Sequence, residues 1–326
     1  MNYSDIHENI LKWYDTHGRR DLPWRQTTDP YAIYISEMML QQTRVQRVLE
    51  HFYHPFLKRF PTLQSIKDAP IDDLLHAWQG LGYYRRAHYI HHTARIAAPD
   101  LPKTTKELVK LPGIGRSTAH AIAAFAYHRP VAVLDANIKR VLCRFFALKE
   151  PKERLLWQKA ETLLDRDAPY IYNQAMMDIG ATVCLPKRPI CSRCPLHRGC
   201  LGRERAQEYA IKRGGAKKKI VHKRVGVLSR RKRLFLRRRE TRLLGGLWEF
   251  PELEELGDVS SSERLCTITH TYSHFTLVAQ IHRIEADPRY IVPIEGRWVD
   301  PDEFDRLATS SLEKRIVEAL LDTDTD

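Results

Sequence analysis

Four cysteines fall within seventeen residues of the stretch "CLPKRPICSRCPLHRGC": Cys184, Cys191, Cys194 and Cys200. A disulfide framework needs an oxidising compartment and, as a rule, a domain too small to hold itself together by core burial. The N-terminus has neither the basic nor the apolar region of a secretory signal, and no apolar run is long enough to span a bilayer. A chain of 326 residues that is 43% hydrophobic can bury cores without covalent staples. Cys143 and Cys266 stand alone. The reading is a reducing cytoplasm and thiolates that bind metal. Structural zinc sites pair their cysteines twice around a longer spacer. Here one close pair, Cys191 and Cys194, has an outlying thiol on each side, and Pro186, Pro189 and Pro195 stiffen the loop. That pattern suits a compact iron–sulfur cluster, with zinc as the alternative.

Charge narrows the partner. The formal net charge of +13 is uneven: residues 1–211 carry +10, residues 212–242 carry +14 and residues 243–326 carry −11. Such a run can be a solvated arm, but two basic segments in succession also form a surface for a polyanion. The basic run lacks the interleaved aromatic residues of an interfacial membrane helix. Nucleic acid is the expected partner, and no membrane is.

The elements that must position these groups change character along the chain. Residues up to 200 read as mostly helical. Pro30 stands where a first helical residue would, and apolar residues recur at helical spacing from Tyr31 to Phe60. Thr104 and Glu107 have the form of a capping box. In "NIKRVLCRFF", Ile138, Val141, Leu142, Phe145 and Phe146 make one stripe, with Lys139, Arg140 and Arg144 facing elsewhere. After the cysteines a Gly-containing basic stretch reads as a linker. "VGVLSRRKRLFLRRR" and "LCTITHTYSHFTLVAQIHRI" then read as strands, and "SSLEKRIVEALLDT" as a terminal helix. The expected division is a helical domain over 1–203 including the cysteine loop 184–200, a linker over 204–220 and a second domain over 221–326.

"LPGIGRSTA", residues 111–119, is a helix–turn–helix element turning at Gly113 and Gly115. Glycines let a backbone approach a phosphate closely, and the following helix offers free N–H groups at its start. That would grip DNA without reading sequence, although an ordinary interhelical turn has the same form. The hairpin, then "VLDANIKRVL", then the cysteine loop, in that order, resemble the helix–hairpin–helix DNA glycosylases related to endonuclease III. Within them, "SEMMLQQT" and "GLGYYRRA" resemble the adenine DNA glycosylases of the MutY type, and the likeness covers nearly the whole chain. It implies a multidomain fold: a mostly α helix–hairpin–helix glycosylase domain with one 4Fe-4S cluster on the four cysteines, followed by an α+β Nudix-like domain.

Removing adenine from its sugar needs a protonated leaving group and a stabilised sugar cation, so a carboxylic acid with a raised pKa is wanted. Glu37 lies on the helix side shared by Ile33 and Leu40, where apolar surroundings disfavour the carboxylate; the resemblance makes the matching Glu the acid. Asp135 precedes a helix, where its ionised form is favoured. The resemblance assigns the matching Asp to the oxocarbenium-like intermediate, through a covalent adduct or by charge alone, and places Asn137 beside it. It also makes Gln42 and Tyr83 wedges at the lesion pair, with Gln41 adjacent. Tyr84 reads as core. Relatives that also cut the strand use a lysine where this chain has Ser117, so base removal without efficient strand cleavage is expected.

Gly246 and Glu252 begin a Nudix signature, but "SSS" replaces the paired glutamates that would hold magnesium. Such a module is expected to bind rather than hydrolyse. In the family a Phe-Ser-His loop recognises 8-oxoguanine; the matching residues here are Tyr272, Ser273 and His274. The reading is a monofunctional, monomeric, cytoplasmic, nucleoid-associated glycosylase of base-excision repair, acting on double-stranded DNA at adenine opposite 8-oxoguanine or guanine. The alternatives are an endonuclease III-like glycosylase/lyase for oxidised pyrimidines, a Nudix-type nucleotide hydrolase with a DNA-binding appendage, and a non-enzymatic iron–sulfur redox sensor.

Overall fold

A computed structural model describes residues 3–209, 218–240, 244–259, 261–272 and 275–323. Residues 210–217 of the expected linker, and both Ser273 and His274, lie outside the described residues. Contacts divide the chain into two units, Met1–Lys67 with His92–Gly214, and Asp68–His91 with Gly215–Asp326. The helices are α1 (Tyr3–His17), α2 (Pro30–Leu40), α3 (Val45–His51), α4 (Tyr53–Arg59), α5 (Leu63–Asp68), α6 (Ile71–Ala77), α7 (Arg85–Ala97), α8 (Thr105–Leu108), α9 (Arg116–Tyr127), α10 (Ala136–Phe145), α11 (Glu153–Leu163), α12 (Pro169–Asp178), α13 (Pro301–Phe304) and α14 (Ser311–Thr323).

The first unit is helical and centred on α2. Asp29 caps that helix, accepting from the Tyr31 and Ala32 amides at 3.1 and 3.2 Å, and Pro30 opens it. Nearly every α2 side chain is buried, which marks a central helix. The apolar pattern from Tyr31 to Phe60 does not run as one helix: a loop over 41–44 separates α2 from α3. Helix α9 packs on α2 through an alanine-rich face, and small side chains allow close approach. Thr104 caps α8, its hydroxyl accepting from the Glu107 amide at 3.3 Å and donating to the Glu107 carboxylate at 2.6 Å.

Helix α10 buries Ile138, Val141, Leu142 and Phe145, as the stripe predicts, but Arg144 corrects the reading. Instead of facing elsewhere it is 2% exposed. Its guanidinium donates to the carbonyls of Leu185, Pro186 and Ala206 at 2.7–2.9 Å and of Cys184 at 3.2 Å. A buried cation surrounded by carbonyl oxygens is satisfied by hydrogen bonds rather than by a carboxylate.

The second unit is built on a mixed sheet of β1 (Lys219–Arg230), β2 (Arg233–Arg238), β3 (Trp248–Glu249), β4 (Glu263–Thr271), β5 (Phe275–Glu285) and β6 (Arg297–Val299), in the order β3-β2-β1-β5-β4, with β6 also on β2. Strands β1 and β2, and β4 and β5, form antiparallel hairpins from the two segments predicted as strands. The hairpins join through a parallel β1–β5 pairing in register from Lys219↔Phe275 to Ser229↔Glu285. Alternating residues Val225, Val227, Leu277 and Ile281 meet Leu312 and Ile316 of α14 in one core. Residues 68–91 group with this unit. Asp72 pairs with Arg238, His76 Nε2 meets the Asp305 carbonyl at 3.0 Å, and His88 Nε2 meets the Gly245 carbonyl at 2.8 Å.

Candidate active site and metal centre

Helices α2 and α10 each bring one carboxyl to a single cavity of about 160 Å³ in the first unit. Its wall contains Glu37, Asp135 and Asn137, with Leu22, Trp24, Ile33, Phe125 and Met177 supplying apolar surface. The Glu37 pKa is raised to about 7, chiefly by burial and then by the Asp135 carboxyl, with Arg25 opposing both. A carboxyl in that range holds its proton at neutral pH for a useful fraction of the time and still ionises readily.

Asp135 departs from expectation. It caps α10, accepting from the Ile138 amide at 2.7 Å, and Asn137 Nδ2 donates to its other oxygen at 3.2 Å. These bonds and Arg140 favour the ionised form, but burial outweighs them and the pKa is raised overall. The helix N-terminus is present; desolvation wins over it. Asn137 is held in turn, its Oδ1 accepting from Arg140 Nη2 at 2.9 Å. Gly180 faces it so closely that a Cβ there would lie 2.6 Å from Asn137 Cβ.

Sequence reasoning missed Arg25 and Asp178. Asp178 is fully buried; burial pushes its pKa up, but Arg25 and Arg19 outweigh that and hold it below the usual range. Arg25 donates to both of its carboxylate oxygens at 2.6 and 2.9 Å, and Arg19 Nε donates at 2.7 Å. The pair sets Arg25 in the cavity wall. Its members lie 153 positions apart, so no local spacing signals them.

The other predicted residues are placed separately. Gln41 and Gln42 follow α2, Gln41 donating to Met38 Sδ at 3.4 Å and Gln42 adopting a left-handed φ of +58°. Gly113 has a φ of +74°, which favours glycine, whereas Gly115 is extended and has open space where a Cβ would point. Ser117 stands in the first turn of α9 and does not line the cavity. In the second unit Tyr83 is left-handed at φ +49°, and Tyr84 is buried as expected. Tyr272 directly follows the β4 strand, its ring 4.8 Å from that of Phe275.

All six cysteines are free thiols. The Cys194 thiol is pushed up to about 12, chiefly by burial and then by Cys184, Cys200 and Cys191, so those three lie within electrostatic reach of Cys194. Arg144 Nη1 donates to Cys184 Sγ at 3.3 Å. Lys187, Arg188, Arg193 and Arg198 of the loop are exposed. Among the described residues, no three His, Cys, Asp or Glu side chains are grouped tightly enough for a single metal ion. Near the Nudix-like signature, Glu249, Glu252, Glu254 and Glu255 are each paired with an arginine or lysine. No helix among the described residues is long and apolar enough to cross a membrane.

Residues 35–166 match the HhH-GPD superfamily of base excision DNA repair proteins, and residues 224–319 match the NUDIX domain. The chain is 38% identical over 270 residues to the adenine DNA glycosylase of Buchnera aphidicola subsp. Baizongia pistaciae, covering 78% of this chain and 76% of that one. It is 31% identical to the human adenine DNA glycosylase, covering 94% of this chain and 72% of that one. A solved thermostable thymine-DNA glycosylase is similar at 29% identity and a TM-score of 0.58, over 62% of this chain and 96% of that one. A non-covalent endonuclease III–DNA complex, 19% identical with a TM-score of 0.54 over 63% of this chain and 97% of that one, shares the fold.

Proposed function

We propose, from the premise that this chain belongs to the adenine DNA glycosylases, that it removes adenine lying opposite 8-oxoguanine or guanine in duplex DNA. The observation that carries the chemistry is one cavity holding Glu37, with its pKa near 7, beside Asp135. In base-excision repair the adenine is extruded from the stack into such a pocket. Neutral Glu37 protonates a ring nitrogen of the base. The C1′–N9 bond then breaks with its electron pair leaving on adenine, and C1′ gains positive charge. Ionised Asp135 stabilises that charge, while Arg25 stabilises the carboxylate that Glu37 becomes. Water adds to C1′ and gives up a proton, leaving an abasic site. Asn137, held between Asp135 and Arg140, orients the Asp135 carboxylate.

On this reading Gln42 and Tyr83 wedge the opened pair, Gln41 lies beside Gln42, and Gly113 and Gly115 offer backbone N–H groups to phosphate. Tyr272, Ser273 and His274 read the opposite base. The 1–203, 204–220 and 221–326 division marks successive functional segments along the sequence, although residues 68–91 group with the second unit. Cys184, Cys191, Cys194 and Cys200 hold one 4Fe-4S cluster: their mutual electrostatic contact and the ring of carbonyls fixed by Arg144 support four ligands from one ordered loop. A bound cluster would supply positive charge that favours the thiolates, and the exposed basic residues of the loop face phosphate.

Single-turnover cleavage tests this on duplexes carrying A:8-oxoguanine, A:G or an oxidised pyrimidine, each with and without alkali. Adenine should be released from the first two, faster opposite 8-oxoguanine, with breaks after alkali. Excision of the pyrimidine with alkali-independent breaks would establish the lyase reading instead.

A further inference from the structure

The loop over 79–84 has left-handed backbone at Gly80, Gly82 and Tyr83, with φ of +91°, +79° and +49°. Glycine adopts this readily; tyrosine does so only where its surroundings over-determine it. Part of that support is local. Trp78 Nε1 and Arg86 Nη2 both donate to the Gly82 carbonyl, at 3.1 and 2.9 Å. The Arg86 guanidinium lies 5.3 Å from the Trp78 ring centroid and 5.5 Å from that of Tyr83.

The rest comes from the far end of the sequence. Gln79 Nε2 donates to both the carbonyl and the hydroxyl oxygen of Thr309 at 2.9 Å each. The Tyr84 hydroxyl lies 3.5 Å from the same carbonyl and accepts from the Gly80 amide at 3.3 Å. Thr309 is fully buried, so its carbonyl has these protein donors in place of water. The next residue, Ser310, accepts from the Leu312 amide at 3.2 Å at the start of α14, and Leu312 belongs to the core against which the Tyr272 ring packs. Gln79, Thr309, Ser310, Leu312 and, through the core, Tyr272 thus follow one another inside the second unit.

We infer that Gln79 is a specificity-determining positioning residue, which through Thr309 and Ser310 fixes the Tyr83 loop to the Tyr272 end of β4. Resting on the proposed function, this makes wedging of the pair and reading of the opposite base a single coupled event. A residue that only stapled two segments together would lower stability without changing which mispair is preferred.

The test is a double-mutant cycle in the full-length protein. Gln79→Leu keeps the side-chain size and loses both bonds, Tyr272→Leu removes the ring that packs on the core, and Gln79→Asn is a milder second variant. Each is assayed by single-turnover excision on A:8-oxoguanine and A:G at one salt concentration, alongside thermal unfolding. Gln79→Leu and Tyr272→Leu should each lower the preference for A:8-oxoguanine roughly fivefold or more, and the double variant should be no worse than the poorer single. Gln79→Asn should lower it in the same direction. An unchanged ratio in the Gln79 variants, with only a lower melting temperature, overturns the inference, as do single effects that multiply in the double variant. A wild-type protein that releases no adenine would overturn the underlying functional reading instead.

Discussion

Replacing Glu37 by Gln exchanges a carboxyl for an amide of nearly the same shape, so the main change is the loss of ionisation. In the folded protein the carboxyl titrates at about 7, against an ordinary value of 4.5. Between those values the folded state binds more protons than the unfolded chain, so stability falls as pH rises through that window and levels off above it. At 1.36 kcal/mol per pKa unit, burying the charged carboxylate costs about 3 kcal/mol at pH 8 and about 1 kcal/mol at pH 5. Glu37→Gln should therefore be more stable than wild type at pH 8, by about 6–12 °C in melting temperature for a unit of this size. The gain should shrink to a few degrees at pH 5. Excision by the same variant should drop by roughly 10²–10⁴-fold, while duplex binding persists. Melting curves at the two pH values, paired with single-turnover rates, read both effects. An equal shift at pH 5 and pH 8, or a loss of stability at pH 8, would show that Glu37 is not the buried acid described here.

Three further outcomes are expected. Borohydride should trap little covalent product with the wild-type protein, because Ser117 offers no amine; efficient trapping would reverse that reading. Arg144→Met should reduce iron content from about four atoms per chain, since the carbonyls of residues 184–186 lose their donors; elemental analysis showing full iron would separate the arginine from cluster retention. The double variant Ser273→Ala, His274→Ala should lower the preference for A:8-oxoguanine over A:G by roughly five- to 150-fold, measured at fixed salt because the affinity for DNA depends strongly on it; an unchanged ratio would remove those residues from lesion reading.

What could be read from the sequence follows the range of the interactions. Local signals work: Pro30 at a helix start, Thr104 before Glu107, and the stripe of α10 each depend on residues within a few positions, and each appears in the fold. Glu37 and Asp135 were legible as chemistry, but their shared cavity depends on α2 and α10 converging in space. The Asp135 pKa runs against the sequence expectation because a helix terminus is visible in sequence and burial is not. Arg144 looked like a surface residue because its carbonyl partners come 40 to 62 positions later. The grouping of residues 68–91 with the second unit is invisible for the same reason, being set by Asp72, Gln79 and His88 meeting Arg238, Thr309 and Gly245.

The left-handed backbone at Gln42 and Tyr83 bears on how this chain would respond to engineering for heat resistance. Non-glycine residues in that conformation carry a cost of about 1–3 kcal/mol each, so both positions rank among the first to improve by substitution with glycine. On the proposed function, those two changes would also remove the side chains that enter the opened base pair. A program optimising stability alone would select a tougher protein that no longer processes its substrate. A heat-hardened variant should keep these two side chains and seek its gains elsewhere.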